Sequence, residues 1–162
     1  MSNSLIIKFE NEKSILELRF TPGEGRTFDS VATIHQGRLD LTLGFCSFGY
    51  DLAEFATGLL AFHSRYDGVA RFDTQHGNAE FEFSLINPAR GVVGISATFH
   101  QWIGWPADCP SAIQEAKQRT LVFTGFTIEQ SFLPAVVARI REFLAESGIS
   151  TIHPMIQDHS AQ

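Results

Sequence analysis

Alternation of apolar and polar residues runs through most of this chain and predicts β-strands. The clearest case is the segment 39–48, in which every second residue from Leu39 to Phe45 is apolar, while Asp40 and Thr42 lie between them. Seven further segments have strand-like patterns: 5–9, 15–20, 28–35, 69–73, 79–86, 92–102 and 120–128. The sequence therefore predicts about eight strands.

Two other segments repeat apolar residues every three or four positions and predict amphipathic helices. The first helix is expected to begin at Asp51, whose carboxylate would cap free amides while Glu54 reaches back. Its predicted apolar stripe is Leu52, Phe55, Ala56, Leu59, Leu60 and Phe62.

The second helix is expected to open near Ser131, to accept Pro134 in its first turn and to end at Gly148. Its predicted stripe is Leu133, Val136, Val137, Ile140, Phe143 and Leu144. Both helices would place these stripes against the sheet.

The order of these elements predicts an α+β fold, with a mainly antiparallel sheet of about eight strands and two amphipathic helices. Four strands and a helix occur twice in succession, which suggests a ββββα pseudo-duplication; a five-residue likeness between segments 32–36 and 97–101 is near chance level. The strands could form one twisted sheet or two abutting sheets beneath both helices, or could wrap around helices that face each other. We expect one domain over residues 1–148 and a C-terminal tail over 149–162.

The net charge of the chain indicates which classes of macromolecule it is suited to bind. The chain has 162 residues, 44% of them hydrophobic, and a formal net charge of −6 without a cluster of Lys or Arg. This charge disfavours nucleic acid and anionic membranes and favours a basic protein partner over them. Because the first residues contain no apolar run long enough for a signal peptide, we expect a soluble cytoplasmic protein. The oligomeric state stays open.

No segment carries a recognised catalytic or cofactor motif. Ser47 does not lie in a nucleophile elbow, Cys109 has no neighbouring histidine, and no glycine-rich phosphate loop occurs. His35 and His100 end corresponding strands of the two halves and could line a cleft between them, although their spacing fits no metal motif. We predict no catalytic residue, no metal and no cofactor.

The segment 102–110 is the irregular stretch that exceeds a normal hairpin turn, and it contains both tryptophans of the chain. Because tryptophan is enriched where proteins bind partners, Trp102, Trp105 and Asp108 are the candidate partner-binding residues. The alternative is a loop whose tryptophans fold back over the end of a sheet.

Three short runs resemble a family of small, uncharacterised bacterial proteins, some of which are described as WapI-type immunity proteins. The runs are Asp51-Leu52-Ala53-Glu54-Phe55, Tyr66-Asp67-Gly68 and Gly91-Val92-Val93-Gly94-Ile95, and the resemblance extends over residues 28–144. WapI-type immunity proteins neutralise toxins by binding them. The resemblance implies a strand-rich fold with helices and a binding rather than a catalytic function.

The sequence thus predicts a non-enzymatic, protein-binding bacterial protein, with toxin immunity as the specific candidate. The alternative is a small-molecule-binding protein or enzyme that uses a cleft between the two halves, lined by His35 and His100. A structural or oligomerising module is the third hypothesis, and exposed apolar strand edges would favour it.

Overall fold

The strands form two four-stranded antiparallel sheets. The structure is a computed structural model and describes residues 4–74, 78–103 and 117–152. In each sheet every strand pairs with the next one along the chain. Sheet A contains β1 (Leu5–Glu10), β2 (Ser14–Pro22), β3 (Thr27–Gln36) and β4 (Leu39–Phe48). Sheet B contains β5 (Val69–Asp73), β6 (Ala79–Asn87), β7 (Val92–Ile103) and β8 (Lys117–Glu129).

A helix follows each sheet, so the order ββββα occurs twice, as predicted. Helix α1 (Gly49–Arg65) follows sheet A and helix α2 (Leu133–Ser147) follows sheet B, and the two helices contact each other. A short 3-10 turn, Gln130–Phe132, leads into α2. These elements confirm the α+β class, the antiparallel pairing and the two helices, and they resolve the sheet arrangement in favour of two sheets.

The start of α1 differs from the prediction. The helix begins at Gly49, with the extended Phe48 as its N-cap residue, so Asp51 is the third residue of the helix and not the N-cap itself. The Asp51 carboxylate accepts a hydrogen bond from the Phe48 backbone N–H, 2.7 Å away. An acidic residue in the first turn of a helix can accept a hydrogen bond from a free amide even when the N-cap residue is not Ser, Thr, Asp or Asn. A prediction that takes the acidic residue as the N-cap therefore places the start of the helix too late. The role predicted for Glu54 is therefore wrong.

One apolar core lies between the inner faces of both sheets and the helix stripes. The Phe45 ring on β4 contacts Phe81 and Phe99 of sheet B, with ring centroids 5.6 and 6.4 Å apart. Phe55 joins α1 to the same core through Phe72 and Phe83. Leu60, which the pattern assigned to the α1 stripe, is 37% exposed, because it lies at the edge of the stripe.

Sheet B contains an irregularity where it meets sheet A. The pairing of β7 with β8 shifts between Ile95 and Ala97, and on β8 this shift coincides with Gly125, whose φ is +91°. Two side chains, one in the β1–β2 turn and one at the end of β3, donate hydrogen bonds to β8 close to this glycine. The Asn11 side-chain amide donates to the Gly125 carbonyl, and the Gln36 amide donates to the Thr124 carbonyl. Asn11 also donates to the Thr127 hydroxyl, so among the described residues the hydrogen bonds between these side chains and β8 cluster at the bulge and just after it.

Helix α2 ends at Gly148, as predicted, with a φ of +66°. Ile149 packs on the core, and the backbone carbonyl of Ser150 lies against Gly49 at the start of α1. The first residues of the predicted tail therefore contact the domain, whereas residues 153–162 lie outside the described part of the chain.

Neither α1 nor α2 combines the length and the apolar character that a helix needs to cross a lipid bilayer, and they are the two long helices of the described residues.

Candidate interaction surface

Strands β7 and β8 continue beyond the rest of sheet B as a two-stranded ribbon. The last pair between β6 and β7 is Ala79 with Phe99, whereas β7 and β8 stay paired as far as Ile103 with Lys117. The His100 N–H still donates to the Asn78 carbonyl, 3.0 Å away, but among the described residues 101–103 and 117–120 pair with a strand on one side only. We call this part the β7–β8 ribbon. A ribbon without a third strand leaves backbone groups of its outer edges open to solvent or to a partner.

The ribbon adjoins the outer face of sheet B, which neither helix covers. Alternate residues of β6 and β7, such as Ser84, Ser96 and Thr98, point to this face and are half-buried, while their neighbours fill the core. A shallow depression of about 230 Å³ lies in the middle of the face, where Gly94 leaves room for the Ile86 side chain. At the ribbon side, Val122 is 60% exposed. The face is thus rich in small hydroxyl residues and apolar at its margin.

Acidic side chains face each other on the same surface. Asp73 on β5 pairs directly with Glu80 on β6, and Glu80 pairs with Thr98. Glu82, one row away, is neutralised by Arg71, whose Nε lies 3.0 Å from its carboxylate. Within the described residues no cation forms an ion pair with Asp73 or Glu80. Like charges directly across a strand pair repel each other, so a cation from outside would stabilise this row.

The structure places the three predicted partner-binding residues only in part. Trp102 lies on the β7–β8 ribbon, where its backbone pairs with Gln118. Trp105 and Asp108 lie outside the described residues. The assignment of a partner-binding role to these three residues therefore stays a prediction.

The two predicted cleft histidines have different neighbours on different sheets. His35 is exposed on the outer face of sheet A, where its Nδ1 lies within hydrogen-bonding distance of the Asp40 carboxylate. His100 is half-buried on the outer face of sheet B, with its Nδ1 3.1 Å from the Thr120 hydroxyl. The inner faces between them are filled by rings such as Phe45 and Phe99. The structure does not bring these two imidazoles into one cleft.

Groups suited to chemistry are scattered over the described residues. No three His, Cys, Asp or Glu side chains of residues 4–74, 78–103 and 117–152 converge as metal ligands would. Burial, together with the nearby Asp29 and Asp51 carboxylates, raises the pKa of the Cys46 thiol. A raised pKa keeps the thiol protonated and makes it a poor nucleophile. Cys109 lies outside the described part of the chain.

Sequence reasoning missed the acidic pair Asp73 and Glu80 and the exposed Val122. The pair depends on the register of β5 against β6, which residues separated by a turn do not reveal. The bulge in β8, in contrast, could have been predicted from the sequence. The apolar residues Leu121 and Phe123 are odd-numbered, whereas Phe126 and Ile128 are even-numbered, and Gly125 lies where the alternation changes phase.

No protein-family model, no curated protein and no solved structure matches this chain.

Proposed function

We propose that this protein acts by binding another protein, and that the β7–β8 ribbon together with the outer face of sheet B forms the interface. The observation that carries the proposal is the position of Trp102 on a ribbon that extends past β6. Tryptophan is enriched among the residues that carry most of the binding energy of protein interfaces. The shallow depression on the same face, between Ser84, Gly94 and Thr124, suits a protein surface better than an enclosed small ligand.

The partner carries a basic contact surface. The net charge of −6 sets the overall field, and the Asp73–Glu80 pair concentrates negative charge beside the ribbon. Charges at the rim of an interface accelerate association and make it dependent on salt. A co-encoded toxin neutralised by binding is the specific partner we propose, in line with the resemblance of segments 51–55, 66–68 and 91–95 to immunity proteins.

The test is binding of the purified full-length protein to the products of the genes that flank its own, measured by biolayer interferometry at low and high salt. Replacement of Trp102 and Trp105 by Ala is expected to weaken binding by about thirtyfold or more, the effect of losing a central aromatic anchor. Asp73→Lys and Glu80→Lys are expected to slow association and to reduce its dependence on salt.

Asp29→Lys is the matched control, because it makes the same change of charge on the exposed outer face of sheet A. If this control slows association as much as Glu80→Lys does, only the net charge matters and the proposed interface is wrong. Immunity has its own readout: co-expression with a toxic neighbour should restore growth. Should no flanking product bind, or should binding leave toxicity unchanged, the immunity assignment fails.

A further inference from the structure

The outer edge of β1 has backbone groups, at Lys8 and Glu10, that no other described residue pairs with. The Asn11 N–H donates to the Ser14 carbonyl, 3.0 Å away, and closes the β1–β2 hairpin. Backbone groups of successive residues in an antiparallel strand point to opposite sides, so those of Phe9 and Ile7 face β2 and those of Lys8 and Glu10 face away. No hydrogen bond within the described residues reaches the Lys8 or Glu10 backbone from the outer side.

A second contact supports this orientation. The Arg139 guanidinium on α2 donates to the Ile6 carbonyl, with 2.6 Å between nitrogen and oxygen. Ile6 is two residues before Lys8 and thus points to the same outer edge. The carbonyl at one end of the edge is therefore satisfied by a donor from another element, and the following positions, Lys8 and Glu10, offer the same kind of acceptor together with their amide donors.

A groove runs along this edge between the two sheets. Strand β1 contacts β8 without belonging to its sheet, and the groove between them has a volume of about 560 Å³. It is lined by Lys8, Glu10, Ile128, Glu129, Ser131 and Phe132. Phe132 exposes 45% of its surface there, whereas Ile128 is almost fully buried. The groove thus combines, on one side, backbone groups that are unpaired within the described ranges and, on the other, an exposed phenyl ring.

We propose that the edge of β1 binds an extended peptide segment of a partner protein as an added strand. Main-chain hydrogen bonds to Lys8 and Glu10 supply affinity, and an apolar side chain of the segment packs on Phe132. The ion pair between Lys8 and Glu10, 3.2 Å apart, leaves Glu129 as the uncompensated charge at the groove among the described residues. The segment therefore carries a basic side chain toward Glu129, next to the apolar one.

This surface is separate from the proposed interface of the ribbon. The groove involves the C-terminal end of β8, at Ile128 and Glu129, whereas the ribbon involves the N-terminal end of that strand, at residues 117–120. The two proposals can therefore fail independently. Loss of binding on changing Trp102 concerns the ribbon, and loss of binding on changing Lys8 concerns the β1 edge.

The probe is the synthetic peptide acetyl-Arg-Val-Arg-Phe-Arg-Val-amide, titrated into the full-length protein and followed by two-dimensional NMR of the backbone amides. We expect the Lys8 and Glu10 amide signals to shift and their hydrogen exchange to slow. Lys8→Pro removes one donor from the free edge and leaves the bonds to β2 in place, so it should weaken peptide binding by about tenfold. Lys8→Thr is the matched control, because it removes the charge and keeps the donor.

A peptide methylated on alternate backbone nitrogens provides a second test that does not depend on the folding of the Lys8→Pro variant. Methylation removes the donors that would pair with β1, so this peptide should not shift Lys8 and Glu10. The proposal is overturned if the unmodified peptide shifts only other amides or none, or if the methylated peptide binds equally well. It is also overturned if Lys8→Pro and Lys8→Thr weaken binding alike, or if the β1 signals report only self-association that sedimentation detects without peptide.

Discussion

The side-chain amide of Gln36 donates a hydrogen bond to the backbone carbonyl of Thr124, with 2.6 Å between nitrogen and oxygen. Gln36 is the last residue of β3 in sheet A, and Thr124 precedes the glycine of the β8 bulge in sheet B. The same amide also donates to the Ser14 hydroxyl, 3.2 Å away. One side chain thus connects the hairpin end of sheet A to the irregular point of sheet B.

Replacement of Gln36 by Met keeps the length of the side chain and removes both hydrogen bonds. We expect the free energy of unfolding, measured by urea denaturation, to fall by about 1–2 kcal/mol, because each of the two bonds contributes about 1 kcal/mol net. Asn11→Ala should also destabilise the protein, because Asn11 donates to the Gly125 carbonyl and to the Thr127 hydroxyl. Since both side chains hold the same bulge, the double variant should deviate from additivity by about 0.5 kcal/mol or more. Strict additivity would show that the bulge is held by other contacts.

Gly125→Ala tests the backbone of the bulge. Gly125 has a φ of +91°, a conformation that a residue with a Cβ adopts only under strain. Alanine there should lower the free energy of unfolding by about 1 kcal/mol or more. Gly44→Ala is the control, because Gly44 is an exposed strand residue that has open space around its Cα and no positive φ. This control should be neutral or slightly stabilising; equal losses in both variants would contradict the strain argument.

Gly49→Ala tests the contact between α1 and the residues that follow α2. A Cβ at Gly49 would meet the Ser150 carbonyl and would lie 2.9 Å from the Ile149 Cγ2. We expect the variant to displace residues 149–152, which should appear as faster proteolysis of the C-terminus and a lower melting temperature. Gly58→Ala in the same helix meets no atom within 4 Å and should stabilise the protein by about 1 kcal/mol. If Gly49→Ala is equally stabilising, the segment does not pack against α1.

Cys46 predicts a pH dependence of stability. Burial and, secondarily, the Asp29 and Asp51 carboxylates raise its pKa above the ordinary value of 9.0. Below that value the thiol is protonated in both the folded and the unfolded state, so it adds no pH dependence. As the pH rises further, the unfolded thiol loses its proton first, and stability falls.

The measurement is urea denaturation of the wild type and of Cys46→Ala between pH 7 and 10, a range set around that ordinary value. The difference in unfolding free energy between the two proteins should change only in the upper part of the range, with the wild type losing more. Cys109 is present in both proteins and cancels in the difference. Burial, Asp51 and Glu54 raise the pKa of Tyr50 in both proteins, and only the smallest cause, Cys46, is lost in the variant. A difference that is constant over the whole range would show that the pKa of the folded thiol is not raised.

The sequence was informative where one face of an element is buried and the other is solvated. Strand β4 alternates Leu43 and Phe45 with solvent-facing Thr42 and Gly44, and this period of two is visible without any tertiary information. The helix stripes are equally local, apart from Leu60 at the margin of α1. The arrangement of the strands in two sheets involves contacts between residues far apart in the chain, such as Asn11 and Gly125. Local sequence patterns do not reveal such contacts.

The surfaces were harder to predict for the same reason. The exposure of Val122 and the position of Asp73 opposite Glu80 follow from strand register. The Lys8 backbone points away from β2, and is unpaired among the described residues, because the neighbouring residues Ile7 and Phe9 form the hydrogen-bonded pairs with β2. Trp102 was predicted from its residue type, and the structure adds that at this position β7 pairs, within the described part of the chain, with β8 alone. The resemblance to immunity proteins concerns segments 51–55, 66–68 and 91–95, and its functional meaning depends on the binding experiments.

The Phe45 ring has a consequence for how the chain folds. Its contacts reach Phe20 in its own sheet and Phe72, Phe81 and Phe99 in the other. Neither ββββα half therefore forms a complete hydrophobic core by itself, although each contains four strands and a helix. Thermal unfolding should be a single cooperative transition, and a fragment that ends between α1 and β5 should remain a collapsed, unfolded chain. The ββββα order is repeated along the chain, but the two repeats fold and unfold together as one cooperative unit.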